Sequence, residues 1–183
     1  MTVNIITQNS GKLLAAKNVF DKYGIKVNQI KKDYPEIQAD NSLKIAKFAA
    51  LQAAKEFDAP VIREDHSLFI NTLGIPGPYA TYIEKQLPAK KLLEIIKTQR
   101  DRTGYVEVAT VYAEPNGVTK EYVFKVPFVL ALEERGNLQP GWNRIIILKG
   151  EKRTLAEYPE DERIDVWNKN YKAIAEWLVN KSK

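Results

Sequence analysis

The chain has 183 residues, 44% hydrophobic and 28% charged, enough for one domain (residues 1–183) with a buried core and unlike a disordered or fibrous chain. Cysteine is absent and there is one histidine, which excludes disulfides, thiolate catalysis and a multi-histidine zinc centre, and leaves a Ser-His-Asp triad a single imidazole to draw on. The formal net charge of +5 suits an anionic ligand, yet the lysines are scattered and form no stripe with aromatics, so solvated helix faces explain them better than nucleic-acid binding.

Val3–Thr7 (VNIIT) reads as a short buried strand. QNSGK follows as a polar turn. A helix then runs to about Tyr23, with Leu13, Ala16, Phe20 and Tyr23 on one face and Gly24 as its stop. IKVNQIKK forms a second strand, and DYPEIQADNS a loop whose Asn41 or Ser42 caps the next helix. That helix, LKIAKFAALQAAKEF, is rich in alanine and so can pack closely on a sheet. APVIRED is a third strand ending at Glu64-Asp65, and a glycine-proline turn follows. AKKLLEIIKTQR is a short amphipathic helix. GYVEVATVYAEPNGVTKEYVFKVPFVLALEE is β-branched and aromatic, with Asn116-Gly117 as a tight turn, which predicts a long hairpin plus a further strand. RIIIL is another short strand. NKNYKAIAEWLVNKSK is a C-terminal helix with Tyr171, Ile174, Ala175 and Leu178 on one face. The pattern is α/β, with early β–α units giving way to an antiparallel section. No segment approaches the roughly 20 apolar residues that cross a bilayer. MTVNIITQNSGK lacks the pattern of a signal peptide, so the expected location is cytoplasmic.

Three polar segments follow predicted strands, where α/β folds tend to bind ligands. Thr7–Lys12 offers hydroxyls, an amide, a glycine and a lysine at a helix N-terminus. That is either a phosphate cradle or a polar turn with a cap; the spacing is not that of a P-loop. Glu36 is a lone loop acid. Glu64 and Asp65 would be costly to desolvate at a strand end, which points to metal binding or proton transfer, or to a salt bridge with Arg63. A metal here would be a hard cation such as magnesium, held by carboxylates and phosphate.

Together TQNSGK, YPEIQ, REDHSLFINTLGIPGPY and RTLAEYP resemble the inosine triphosphate pyrophosphatase family, which hydrolyses non-canonical purine nucleoside triphosphates. The resemblance implies an elongated, two-lobed α/β fold with a long twisted mixed sheet, flanking helices and a central cleft. It also implies a homodimer and Mg2+-dependent release of pyrophosphate from a nucleoside triphosphate. By position, Thr7, Asn9 and Lys12 match the triphosphate loop. Glu36 and Asp65 match the metal-binding and water-activating acids, with Glu64 beside them. PGWNR supplies Trp142 and Asn143 to the base-reading segment, Arg163 stands for a nucleotide-binding lysine, and Lys169 falls within the family's Ser-His-Arg, here Asn168-Lys169-Asn170. Further departures are Ala15 for an acid, His66 for Ser or Thr, Ser67 for glycine, Pro140 for a stacking phenylalanine and Asn143 for aspartate. His66 either replaces a hydroxyl contact to phosphate or fills space. The departures gather at the base-reading end, so altered base specificity, or a catalytically impaired nucleotide-binding protein on the same fold, stand as alternatives.

Overall fold

The computed structural model describes residues 1–35, 37–159, 162 and 164–181. Among them, seven strands form one sheet of order β2-β1-β3-β5-β6-β7, with β4 paired to β3. The strands are β1 (Thr2–Ile6), β2 (Lys26–Ile30), β3 (Val61–Ile70), β4 (Ile75–Gly77), β5 (Thr103–Ala113), β6 (Thr119–Leu130) and β7 (Ile146–Leu148). The helices are α1 (Ser10–Phe20), α2 (Ser42–Phe57), α3 (Ala80–Gln86), α4 (Ala89–Ile95) and α5 (Lys169–Lys181). β1 is parallel to β2 and β3, whereas β3–β4 and β6–β7 are antiparallel, so the sheet is mixed.

The chain packs as two compact units. One comprises Met1–His66, Val108–Phe124 and Ile164–Lys183, the other Ser67–Glu107 and Lys125–Arg163. In the first unit the sheet is covered on both faces. Val3 and Ile5 meet α1 and α5 through Ala16, Val19, Phe20, Tyr171, Ile174 and Leu178. Ile6 and Val61 meet α2 through Ala46, Ala49, Ala50, Ala53 and Ala54. The alanines do what their size allows: without side chains beyond Cβ, the α2 backbone lies close to the strands. Asn41 caps α2 by accepting from the Lys44 N–H at 3.0 Å.

In the second unit Phe69 and Tyr105 stack at 5.0 Å between centroids. Gly104 permits this packing, since a Cβ there would lie 2.3 Å from the Phe69 carbonyl oxygen. Gly141 has φ +67°, and its Cβ would fall 1.8 Å from a Glu84 carboxylate oxygen. That carboxylate accepts the Trp142 backbone N–H.

Several sequence expectations need correction. β3 does not end at Glu64-Asp65 but continues to Ile70, because HSLFI extends the strand and pairs with β4 at Leu68, Phe69 and Ile70. The α1 face is Ala15, Ala16, Val19 and Phe20 rather than one through Leu13 and Tyr23, and its last turn tightens into a 3-10 turn at Asp21–Tyr23. α3 was not expected after the glycine-proline turn. α4 is shorter than its pattern and stops at Ile95. The region after Asn116-Gly117 is one strand, β6, with no further strand before Leu130: Pro127 sits inside it without breaking it.

Candidate active site

The site begins where β1 ends. Thr7 is buried, and its Oγ1 accepts the Asn9 N–H at 3.1 Å. Asn9 is the N-cap of α1, its Oδ1 accepting the Lys12 N–H at 2.9 Å. The polar turn with a cap is thus what the segment forms. The side chains shape the turn, while Ser10 and Gly11 occupy the first helical turn, where N–H groups lack intrahelical partners and the helix dipole favours an anion. Gln8, Asn9 and Ser10 are exposed and Lys12 is half-buried, so this end faces solvent.

The Lys12 ammonium donates to the Glu64 carbonyl oxygen at 3.2 Å. Parallel pairing of β1 with β3 ends at Ile6 with Arg63, which brings the residues after Arg63 level with the Thr7–Lys12 turn. Side chains alternate along a strand, so Glu64 and His66 share one face of β3 and Asp65 takes the other.

Glu64 is only 3% exposed. Its carboxylate pairs with His66 Nε2 at 2.8 Å and accepts from the Thr110 hydroxyl at 3.2 Å. Tyr171 turns its phenol toward the same carboxylate without reaching good hydrogen-bond geometry. Burial pushes the Glu64 carboxyl up, but His66, Lys12 and Tyr171 together outweigh it and hold the group below its ordinary value. Burial, and then the Lys12 charge, push the His66 imidazole down, against the opposing pull of Glu64. Because an ionised carboxylate can only accept, the hydrogen sits on Nε2 and is donated to Glu64. Burial, followed by the Glu64 charge, raises the Tyr171 phenol well above its usual range.

The other face of the His66 ring lies against Trp167, with centroids 5.8 Å apart and planes 27° from parallel. Trp167 directly precedes the first turn of α5, which Asn170 locks down. The Asn170 amide, 4% exposed, donates to Val108 O, Thr110 Oγ1 and Tyr122 O at 3.0, 3.0 and 3.1 Å.

Of the residues singled out from sequence, Thr7, Asn9, Lys12, Glu64 and His66 come together, and Asp65 is half-buried on the opposite face of the same strand. Lys169 is exposed, with its ammonium 5.5 Å from the Phe124 ring. Trp142 and Asn143 lie in a 3-10 turn, Gly141–Arg144, of the second unit. Trp142 is 3% exposed and donates its indole N–H to Leu87 O at 2.8 Å, and Asn143 donates to Pro140 O at 3.2 Å. Glu36 and Arg163 fall outside the described residues. Sequence reasoning missed Thr110 and Trp167; it placed Tyr171 on the apolar face of the C-terminal helix but not beside Glu64. Only Thr110 left a signal, the one aliphatic hydroxyl in the otherwise largely apolar VATVYA.

Among the described residues no three His, Asp or Glu side chains gather as a cation cage. A carboxylate such as that of Asp65 is a hard oxygen ligand, which suits magnesium, an ion that takes one or two carboxylates and fills its shell with water and phosphate oxygens.

A mixed sheet with helices on both faces defines an α/β protein, and a capped helix N-terminus beside a lysine and adjacent acids is an arrangement suited to an anionic ligand. A profile of the Ham1 family matches residues 3–177, and the chain belongs to that family. It is 33% identical over 183 residues to a dITP/XTP pyrophosphatase of Methanopyrus kandleri, covering 98% of this chain and 97% of the relative. It is 31% identical to one of Thermococcus kodakarensis, covering 97% of each. Its fold matches the Ham1 protein of Staphylococcus aureus with a TM-score of 0.81 at 21% identity, covering 99% of this chain and 100% of the other. It matches a HAM1 protein from Coxiella burnetii at 0.80 and 22%, covering 98% and 99%.

Proposed function

We propose that this protein hydrolyses nucleoside triphosphates to the monophosphate and pyrophosphate, with non-canonical purines such as dITP and XTP as the substrate class. One observation carries the reading: Lys12, at the N-terminus of α1, is tied to the backbone of Glu64, one residue from Asp65. The relatives named dITP/XTP pyrophosphatase supply the substrate class.

The α1 N-terminus and Lys12 hold the triphosphate and draw off its charge, which favours a transition state richer in negative charge on the bridging and leaving oxygens. Asp65 orients a water and takes its proton. The water oxygen bonds to phosphorus as the α–β bridging P–O bond breaks, and pyrophosphate carries the bond's electrons away. Glu36 and Asp65 would hold magnesium, which when bound neutralises phosphate charge. Glu64 fixes His66, and its carboxylate stays out of contact with substrate. Arg163 and Lys169 complete the nucleotide contacts in this reading, whereas Trp142, enclosed with its indole N–H on Leu87 O, and Asn143, bonded to Pro140 O, are left out of them. The protein acts in the cytoplasm as a homodimer, a state that sedimentation would measure.

Pyrophosphate release from XTP, dITP and ordinary triphosphates, measured with Asp65→Asn alongside, tests the assignment. Turnover should fall by a hundredfold or more in the variant, the scale set by general-base catalysis. Retained turnover would remove Asp65 from the chemistry.

A second reading, a nucleotide-binding protein with weakened catalysis, draws on Asn170. The residue at the family's arginine position is buried and fully engaged with backbone and Thr110. A melting temperature raised by nucleotide without product would favour it.

A further inference from the structure

We infer that Trp167, backed by His66, is the ring platform on which the base of the nucleotide stacks, making Trp167 a specificity-determining residue. The inference rests on the nucleotide reading of the Lys12 turn. Four contacts run outward from that turn. Lys12 bonds the Glu64 carbonyl at 3.2 Å. The Glu64 carboxylate holds His66 Nε2 at 2.8 Å. The His66 ring stacks on Trp167 at 5.8 Å. Trp167 in turn is fixed by its backbone N–H on Ile164 O at 3.1 Å. A ligand whose phosphates sit at the α1 N-terminus would meet a rigid aromatic surface within the same compact unit.

Three features suit that surface to a base. Both rings are half-buried, and the His66 side chain keeps 28% of its surface open. The Nε2 side of the imidazole is occupied by Glu64 at 2.8 Å, so what the pair turns toward a ligand is ring surface. Its orientation is set before any ligand arrives, which lowers the ordering cost of binding. Meanwhile Trp142, the aromatic of the PGWNR segment, is enclosed in the second unit with its N–H taken by Leu87 O. Position 140 has no ring at all. An indole accepts any flat heteroaromatic base by stacking, and a fused purine covers it best.

The experiment compares dissociation constants for XTP and for inorganic triphosphate, by calorimetry in EDTA so that nothing is turned over. Wild type, Trp167→Phe and Trp167→Leu are tested, with melting temperatures recorded. Leucine preserves bulk without a π face. It should weaken XTP roughly tenfold, within the range of lost base stacking, and leave inorganic triphosphate within about twofold. Phenylalanine should recover most of the loss, with a deficit of a few-fold. That deficit is readable alone should the leucine variant fail to fold. The inference is overturned if XTP binding is unchanged by either substitution, or if XTP and inorganic triphosphate weaken together, which is the mark of a merely structural residue. Trp167-dependent XTP binding without pyrophosphate release in magnesium would support the platform and sink the hydrolase reading. Wild type that binds neither ligand would sink both.

Discussion

Glu64 shows how neighbours decide what a carboxylate does. Two adjacent acids on β3 have different surroundings: one is enclosed by Thr110, His66 and Tyr171, the other stands half-buried on the opposite face. Desolvation alone would make the first a weak acid, but its partners keep it charged. Truncating it would leave a buried imidazole N–H and the Thr110 hydroxyl without their acceptor. Glu64→Ala should therefore cost about 3 kcal/mol in urea unfolding, and Glu64→Gln, which keeps an acceptor oxygen, about 1 kcal/mol. A cost below about 0.5 kcal/mol for the alanine variant would mean that water replaces the lost partners and that the cluster is more open than its packing indicates.

At the scale of elements, the two long N-terminal helices use the same device for different ends. Asn9 caps α1 and Asn41 caps α2, at 2.9 and 3.0 Å. Each Asn→Ala change should cost about 1 kcal/mol. In the proposed reading only the Asn9 variant should also raise KM, because its cap shapes the turn assigned there to the triphosphate, while α2 sits on an alanine-packed face of the sheet. Equal KM values for the two variants would separate the turn from substrate binding.

The same contrast explains what the sequence disclosed about the elements. β1, β2, α2, the β5–β6 hairpin and α5 follow from local pattern, and the meeting of Lys12 with β3 follows from placing both segments after strands of one α/β sheet. The run of β3 beyond Asp65 was hidden because His66 and Ser67 break the apolar pattern, and only pairing with β4 keeps them in a strand. α3 was hidden behind Gly77-Pro78, and its seven residues include β-favouring Thr81, Tyr82 and Ile83. The contacts of Trp167, Tyr171 and Thr110 are tertiary. They join residues 46 to 107 positions apart in the chain, and no local spacing encodes them.

For the whole molecule, ionisation is distributed unevenly between the two units. Tyr23, Tyr34, Tyr112, Tyr122 and Tyr171 all have raised pKa values and all belong to the first unit. Burial is the leading cause at each, followed by a neighbouring glutamate. Tyr34, beside Glu56 at 2.7 Å, is pushed up to about 12. A phenol with a raised pKa keeps its proton in the native state after the unfolded chain has released its own. Below pH 10 the two states bind these protons equally. Above it the unfolded chain binds fewer, so stability declines as pH climbs toward the native values, which for Tyr34 is about 12. β3, β5 and β6 run unbroken from one unit into the other, so loss of the first unit should take the second with it in one transition. Urea midpoints should fall steadily from pH 10 upward, and Tyr34→Phe should flatten part of that slope while leaving neutral-pH behaviour to the lost Glu56 bond alone. Phenolate absorbance should rise together with unfolding rather than before it. Flat midpoints across this range, or full phenolate absorbance in the folded protein, would mean that these hydroxyls meet solvent and that burial does not hold their protons.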